Sequence, residues 1–103
     1  MGGRGSSGKE NNVRFPSQES QIKHIFRDVK GHLPDTVENR MMVISTARNE
    51  ANYIGTCIHG NKWYARSLGD GRQCWVTVRD GLIQNGGINI PPVIDWAARG
   101  VKK

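Results

Sequence analysis

Residues 60–81 read GNKWYARSLGDGRQCWVTVRDG, and the fold turns on how this stretch is parsed. Two runs rich in aromatic and β-branched residues, Lys62–Ser67 and Gln73–Arg79, are separated by LGDG and followed by DG. Glycine beside aspartate is the turn chemistry of antiparallel hairpins. Working outward, residues 53–58 before HGN and Leu82–Asn89 after DG are also strand-like, so four consecutive strands are expected. Closing the LGDG hairpin tightly pairs Arg66 with Gln73, Tyr64 with Trp75 and Lys62 with Thr77. Centring the flanking turns on His59-Gly60 and Asp80-Gly81 sets Tyr53 opposite Arg66, Cys57 opposite Lys62 and Thr77 opposite Gln84. Because side chains alternate along a strand, this register sorts them onto two faces. One face takes Ile54, Ile58, Trp63, Ala65, Cys74, Val76, Val78 and Ile83, the expected core. The other takes Tyr53, Cys57, Lys62, Tyr64, Arg66, Gln73, Trp75, Thr77, Arg79 and Gln84. It carries cations, rings and amides but no carboxylate, since Asp70 and Asp80 fall in turns.

Upstream of the strands the pattern is helical. Ile22, Ile25, Phe26 and Val29 recur at helical spacing, with Ser17 as a cap and Gly31 as a stop. In PDTVE, Asp35 or Thr36 caps a second helix whose core stripe is Val37, Met41 and Ile44. Residues 1–14, MGGRGSSGKENNVR, offer almost nothing to bury. Residues 1–15 therefore read as a flexible leader or linker, and residues 16–103 as one domain. The tail IPPVIDWAARGVKK carries a short last helix after Pro91-Pro92. Helices first and strands after predict an α+β fold, with N-terminal helices packed on one face of an antiparallel sheet of four or more strands.

The chain has 103 residues and a formal net charge of +6, which favours a polyanionic partner. No apolar run approaches the ~18 residues needed to span a bilayer. Cys57 and Cys74 fall on opposite sheet faces in this register, which argues for free thiols rather than a disulfide. Together with His59 they lack the spacing of a tetrahedral metal site. No nucleotide-binding glycine motif or nucleophile elbow is present, so neither metal nor cofactor is expected.

Two groups of residues point to chemistry. Lys62, Arg66 and Arg79, interleaved with Tyr64, Trp75 and Gln73, form a face on which bases could stack while cations neutralise phosphates. An ordinary cross-strand aromatic pair is the plainer account of Tyr64 and Trp75. His24 projects from the polar side of the first helix between Lys23 and Arg27, a setting that suits a general base. His32, after Gly31, is either a second candidate or a partner for the helix C-terminus. His59 sits in a turn, and Gly86-Gly87 reads as a bulge.

The string QIKHIF…GHLPDTVENR…NYIGT…GNKWYAR…DGRQCWVTVRDGLIQNGGIN, over residues 20–90, resembles the C-terminal toxin domains of bacterial polymorphic toxins. These domains end contact-dependent inhibition proteins of the CdiA type and related effectors. The string is similar to members of the barnase/EndoU/colicin/RelE (BECR) ribonuclease superfamily. The resemblance implies helices on an antiparallel sheet, metal-independent cleavage of RNA, often transfer RNA, and a cognate immunity protein. It also implies delivery by a larger secreted or cell-surface protein and action in the target-cell cytoplasm. It maps catalytic roles onto His24, Arg66 and Thr77, and further onto His32, Lys62 and Tyr64. The leader would tether the domain to its delivery protein, and an acidic immunity protein would cover the basic face. A non-catalytic RNA-binding module using the same face is the alternative.

Overall fold

The structure, a computed structural model, describes residues 9–103. Two α-helices, α1 (Glu19–Ile25) and α2 (Val37–Arg48), precede four strands, β1 (Tyr53–Thr56), β2 (Lys62–Ser67), β3 (Gln73–Arg79) and β4 (Leu82–Asn89). The strands form an antiparallel meander in the order β1-β2-β3-β4. Both helices pack on one face of the sheet, so the fold is α+β. Short 3₁₀ turns lie at Glu50–Asn52 and Ala97–Arg99.

Each helix is set by local chemistry. Thr36, not Asp35, caps α2: its Oγ1 accepts from the Asn39 backbone N–H at 3.1 Å. Asp35 instead chelates Arg40 through two bonds of 2.6 and 2.7 Å, and this guanidinium holds its carboxyl below the ordinary value. The buried seam of α2 is Val43, Thr46 and Ala47, while Val37 and Met41 are exposed. Apolar periodicity misses this seam because Arg40 shares it, laying its guanidinium over the rings of Phe15 and Phe26. Helix α1 stops at Ile25, well before Gly31, because Phe26 turns extended and bridges Leu33. Val29 is consequently exposed.

The observed register differs from the tight-turn expectation by one residue in the central hairpin. Ser67 pairs with Gln73, which makes the partners Arg66–Cys74, Ala65–Trp75, Tyr64–Val76, Trp63–Thr77 and Lys62–Val78. The connection is a five-residue loop, residues 68–72, closed by the Leu68 N–H donating to the Arg72 carbonyl. A one-residue slip turns a strand over. Tyr64 therefore points at the helices, 1% exposed, and Trp63 points away from them. The faces expected for β3 hold, with Cys74, Val76 and Val78 in the core. At the other hairpin Arg79–Leu82 and Val78–Ile83 pair as expected; a shift at Thr77/Val78 then sets Thr77 opposite Asn85 instead of Gln84. Tyr53 pairs with Tyr64 rather than with Arg66.

Three outer segments complete the unit. Part of the stretch read as a leader is built into it: Val13 is buried, Asn11 and Arg14 donate to the Arg48 and Gly81 carbonyls, and Ile83 donates to that of Arg14. Residues 1–8 lie outside the described residues. Along β4, Ile88 N–H donates to the Gly31 carbonyl at 3.0 Å. Along β1, Thr56 and Lys102 exchange two backbone bonds, and a Cβ at Gly55 would lie 2.6 Å from the Lys102 carbonyl carbon. The tail between these points crosses the sheet face away from the helices. Gln73 pins it, donating to the Val93 carbonyl and accepting from the Val93 N–H and from Asn89, each at 3.0 Å. Trp96 packs on Trp63, which stacks on Trp75 with ring centroids 5.6 Å apart.

Tyr64 supplies a stability prediction. Its hydroxyl donates to Glu50 Oε2 at 2.7 Å, and burial, with the Glu50 carboxylate, pushes its ionisation well above the ordinary phenol range. A raised value means the stability it contributes is whole below pH about 10 and is lost as pH rises toward the folded-state value. Tyr64→Phe should cost about 1 kcal/mol at neutral pH. It should also flatten the alkaline fall in stability, as read by denaturant unfolding across pH. An unchanged alkaline limb would remove Tyr64 as its source.

Candidate active site

The two central expectations for the site meet different outcomes. The acid-free basic face does not exist as one surface, because β2 is turned over and the tail covers the side that carries Trp75. Arg66 lies on the helix-facing side beside Ser45, whereas Thr77 is 4% exposed on the opposite side. Gln73 is committed to the tail, and Tyr64 is a core residue bonded to Glu50. Lys62, Tyr64 and Arg79 do border a common pocket, but Glu50 and Asp80 border it with them. His24 stands exposed on α1, and its neighbour Lys23 pairs with Glu19 at 3.2 Å.

His32, by contrast, is held at both ring nitrogens. The chain leaves α1, turns at Gly31 and runs along β4, which brings the His32 ring to the sheet edge. Its Nδ1 lies 3.1 Å from the Gly86 carbonyl and its Nε2 lies 2.9 Å from Arg27 Nη2. A carbonyl only accepts and a guanidinium only donates, so the partners assign the proton to Nδ1 and leave the Nε2 lone pair toward Arg27. The ring stands edge-on to Trp75, centroids 5.8 Å apart at 70°. Thus His32, Arg27 and Trp75, three of the residues singled out in the sequence, do come together. The Arg27 Nε is buried and, among the described residues, meets no acceptor.

His32 opens onto a cleft of about 780 Å³ between the turn at residues 29–33 and the tail segment at residues 88–95. Lys30, Arg72 and Arg99 also line it, against the single carboxylate of Asp95. Arg72 is shared with Asp70, 2.9 Å away. Val29, Ile90 and Ile94, among the most exposed large apolar residues of the domain, give the cleft an apolar shelf. A concave site with an apolar wall, a few cations and a positioned imidazole can accommodate an anionic ligand that carries an apolar group.

Lys30, Arg72 and Arg99 escaped sequence reasoning because they lie in loops and the tail, where no periodicity relates them. The one available signal was IPPV, whose prolines end β4 and turn the chain back to make the second wall. Both cysteines are free: Cys74 is buried, which pushes its thiol up, and Cys57 lies past the end of β1. Among the described residues no three His, Cys, Asp or Glu side chains gather as a metal-binding group, and no helix is long and apolar enough to cross a membrane. Comparison with family models, with curated proteins and with solved structures gives no match.

Proposed function

We propose that the domain is a metal-independent endoribonuclease that works at His32 in this cleft. The observation that carries the reading is the clamped imidazole: Nδ1 is anchored to backbone, Nε2 faces a guanidinium, and the ring lines a cationic cleft. A phosphate entering the site competes with Nε2 as the acceptor for Arg27, and so frees the Nε2 lone pair as it binds. His32 Nε2 then takes the proton of a ribose 2′-hydroxyl, and O2′ attacks the adjacent phosphorus. The P–O5′ bond breaks, and the 5′ oxygen leaves with a proton from water. Arg72 and Arg99, which line the cleft, offset the charge that develops on the phosphoryl oxygens, and Arg27 adds its charge beside Nε2. The products are a 2′,3′-cyclic phosphate and a 5′-hydroxyl.

The sequence resemblance supplies the setting. In this reading the substrate is transfer RNA, and the domain ends a larger secreted effector that carries it into the cytoplasm of a target cell. An acidic immunity protein neutralises it. Incubating the purified domain with total bacterial RNA in excess EDTA tests the activity, with cleaved ends mapped on a denaturing gel. Discrete cuts ending in cyclic phosphate are expected. RNA that is bound yet stays intact would establish a non-catalytic RNA-binding module instead.

A further inference from the structure

A separate pocket of about 440 Å³ lies between α2 and β2, and it shares no lining residue with the His32 cleft. Its polar atoms are unbalanced. The Ser45 hydroxyl donates to the Met42 carbonyl at 3.1 Å, Arg48 Nε donates to the Val13 carbonyl at 2.7 Å, and Asn49 Oδ1 accepts from the Ala51 N–H at 2.9 Å. Arg66 makes one long contact, 3.5 Å from Nη2 to Ser45 Oγ, while its Nε is buried and meets no acceptor. Among the described residues, what remains unspent is the Arg48 Nη groups, the Asn49 side-chain NH2 and most of the Arg66 guanidinium. All of these are donors. Among the described residues neither arginine forms an ion pair; the one carboxylate on the rim, Glu10, is exposed and bonds to neither.

A buried donor without an acceptor is costly, and two guanidinium groups facing one pocket repel unless an anion lies between them. A tetrahedral oxyanion offers several acceptor oxygens to donors arriving from different directions, and forked guanidinium groups suit it best. We infer that this pocket is a second phosphate site, and that it holds a backbone diester of the RNA substrate. The RNA as source of that phosphate rests on the ribonuclease reading; the anion site itself does not. Such a contact fixes where the strand lies without reading its bases.

The Nε–H of Arg66, buried and unbonded, is the reporter. The ¹⁵N-labelled protein is titrated with dimethyl phosphate, with inorganic phosphate, with acetate, and with a 2′-O-methylated RNA oligonucleotide that cannot be cut. Saturable displacement of the Arg66 Nε–H signal by dimethyl phosphate and by the oligonucleotide is expected. Both should weaken by roughly tenfold in Arg48→Lys, the loss of about one charge-assisted bond. No displacement by any phosphate overturns the site. Acetate acting as strongly as phosphate overturns it too, in favour of a carboxylate-bearing protein partner. Displacement by inorganic phosphate alone overturns the RNA source. If the oligonucleotide shifts His32 signals and leaves Arg66 unmoved, the inference fails while the ribonuclease reading stands. If it shifts neither, that reading fails.

Discussion

His32→Ala should lower the rate of RNA cleavage by roughly 10²- to 10⁴-fold, the range supplied by a positioned general base, while the domain still binds RNA. Both consequences follow from what the ring does and does not hold. It contributes two side-chain bonds, to Gly86 and Arg27, so its loss costs about 1–2 kcal/mol and leaves the core intact. The cations lining the cleft remain, so affinity for a polyanion survives. Circular dichroism and a filter-binding assay separate these effects from unfolding. The same substitution at His24 decides between the two histidines singled out in the sequence. If His24→Ala abolishes cleavage and His32→Ala does not, the cleft is not the active site.

The largest stability effect is expected at a glycine. A Cβ at Gly87 would overlap the Gly31 carbonyl oxygen and sit 3.0 Å from Trp75 Cζ2 and Nε1. Neither obstacle is the end of a flexible side chain: one is backbone already bonded to Ile88, and the other belongs to a stacked indole. Gly87→Ala should therefore force the 29–33 turn off β4, at about 3 kcal/mol and a fall in Tm of roughly 10–20 °C. Because that turn carries His32, cleavage should fall even at temperatures where the variant stays folded. Gly86→Ala is the matched comparison. Its Cβ would meet the Trp75 carbonyl at 3.3 Å and Val43 at 3.4 Å, contacts that small shifts relieve, for about 1 kcal/mol. A Gly87→Ala variant that melts with the parent would show that the turn is not packed against β4 as described.

The strand pattern was legible in residues 53–89 because β-propensity and turn chemistry agree there. The limits of β2, β3 and β4 coincide with those read from the sequence. Pairing was not legible between β2 and β3, because a five-residue loop does not dictate register as a two-residue turn does. Adjacent aromatics made the ambiguity severe: Trp63 and Tyr64 each suit either face, and only tertiary partners decide between them. Tyr64 finds Glu50; Trp63 finds Trp75 and Trp96. Half of the candidate site was within reach. His32 was singled out as a second candidate base or a partner for a helix C-terminus, Arg27 as a cation beside His24 and Trp75 as a ring on the sheet face, none of them as part of a cleft. The second wall needed the tail, whose course over the sheet is set by a buried glutamine that reads in sequence as one more polar strand residue.

The turn that carries His32 also occupies the open side of β4. Gly31 takes the Ile88 N–H, and His32 itself takes the Gly86 carbonyl. An unpaired strand edge is a template on which another chain can add. Opening this turn wide enough to release His32 would bare that template, so the mobility available to a catalyst and the resistance of the protein to self-association draw on the same few bonds. Selection for a looser, faster site would at the same time be selection toward aggregation.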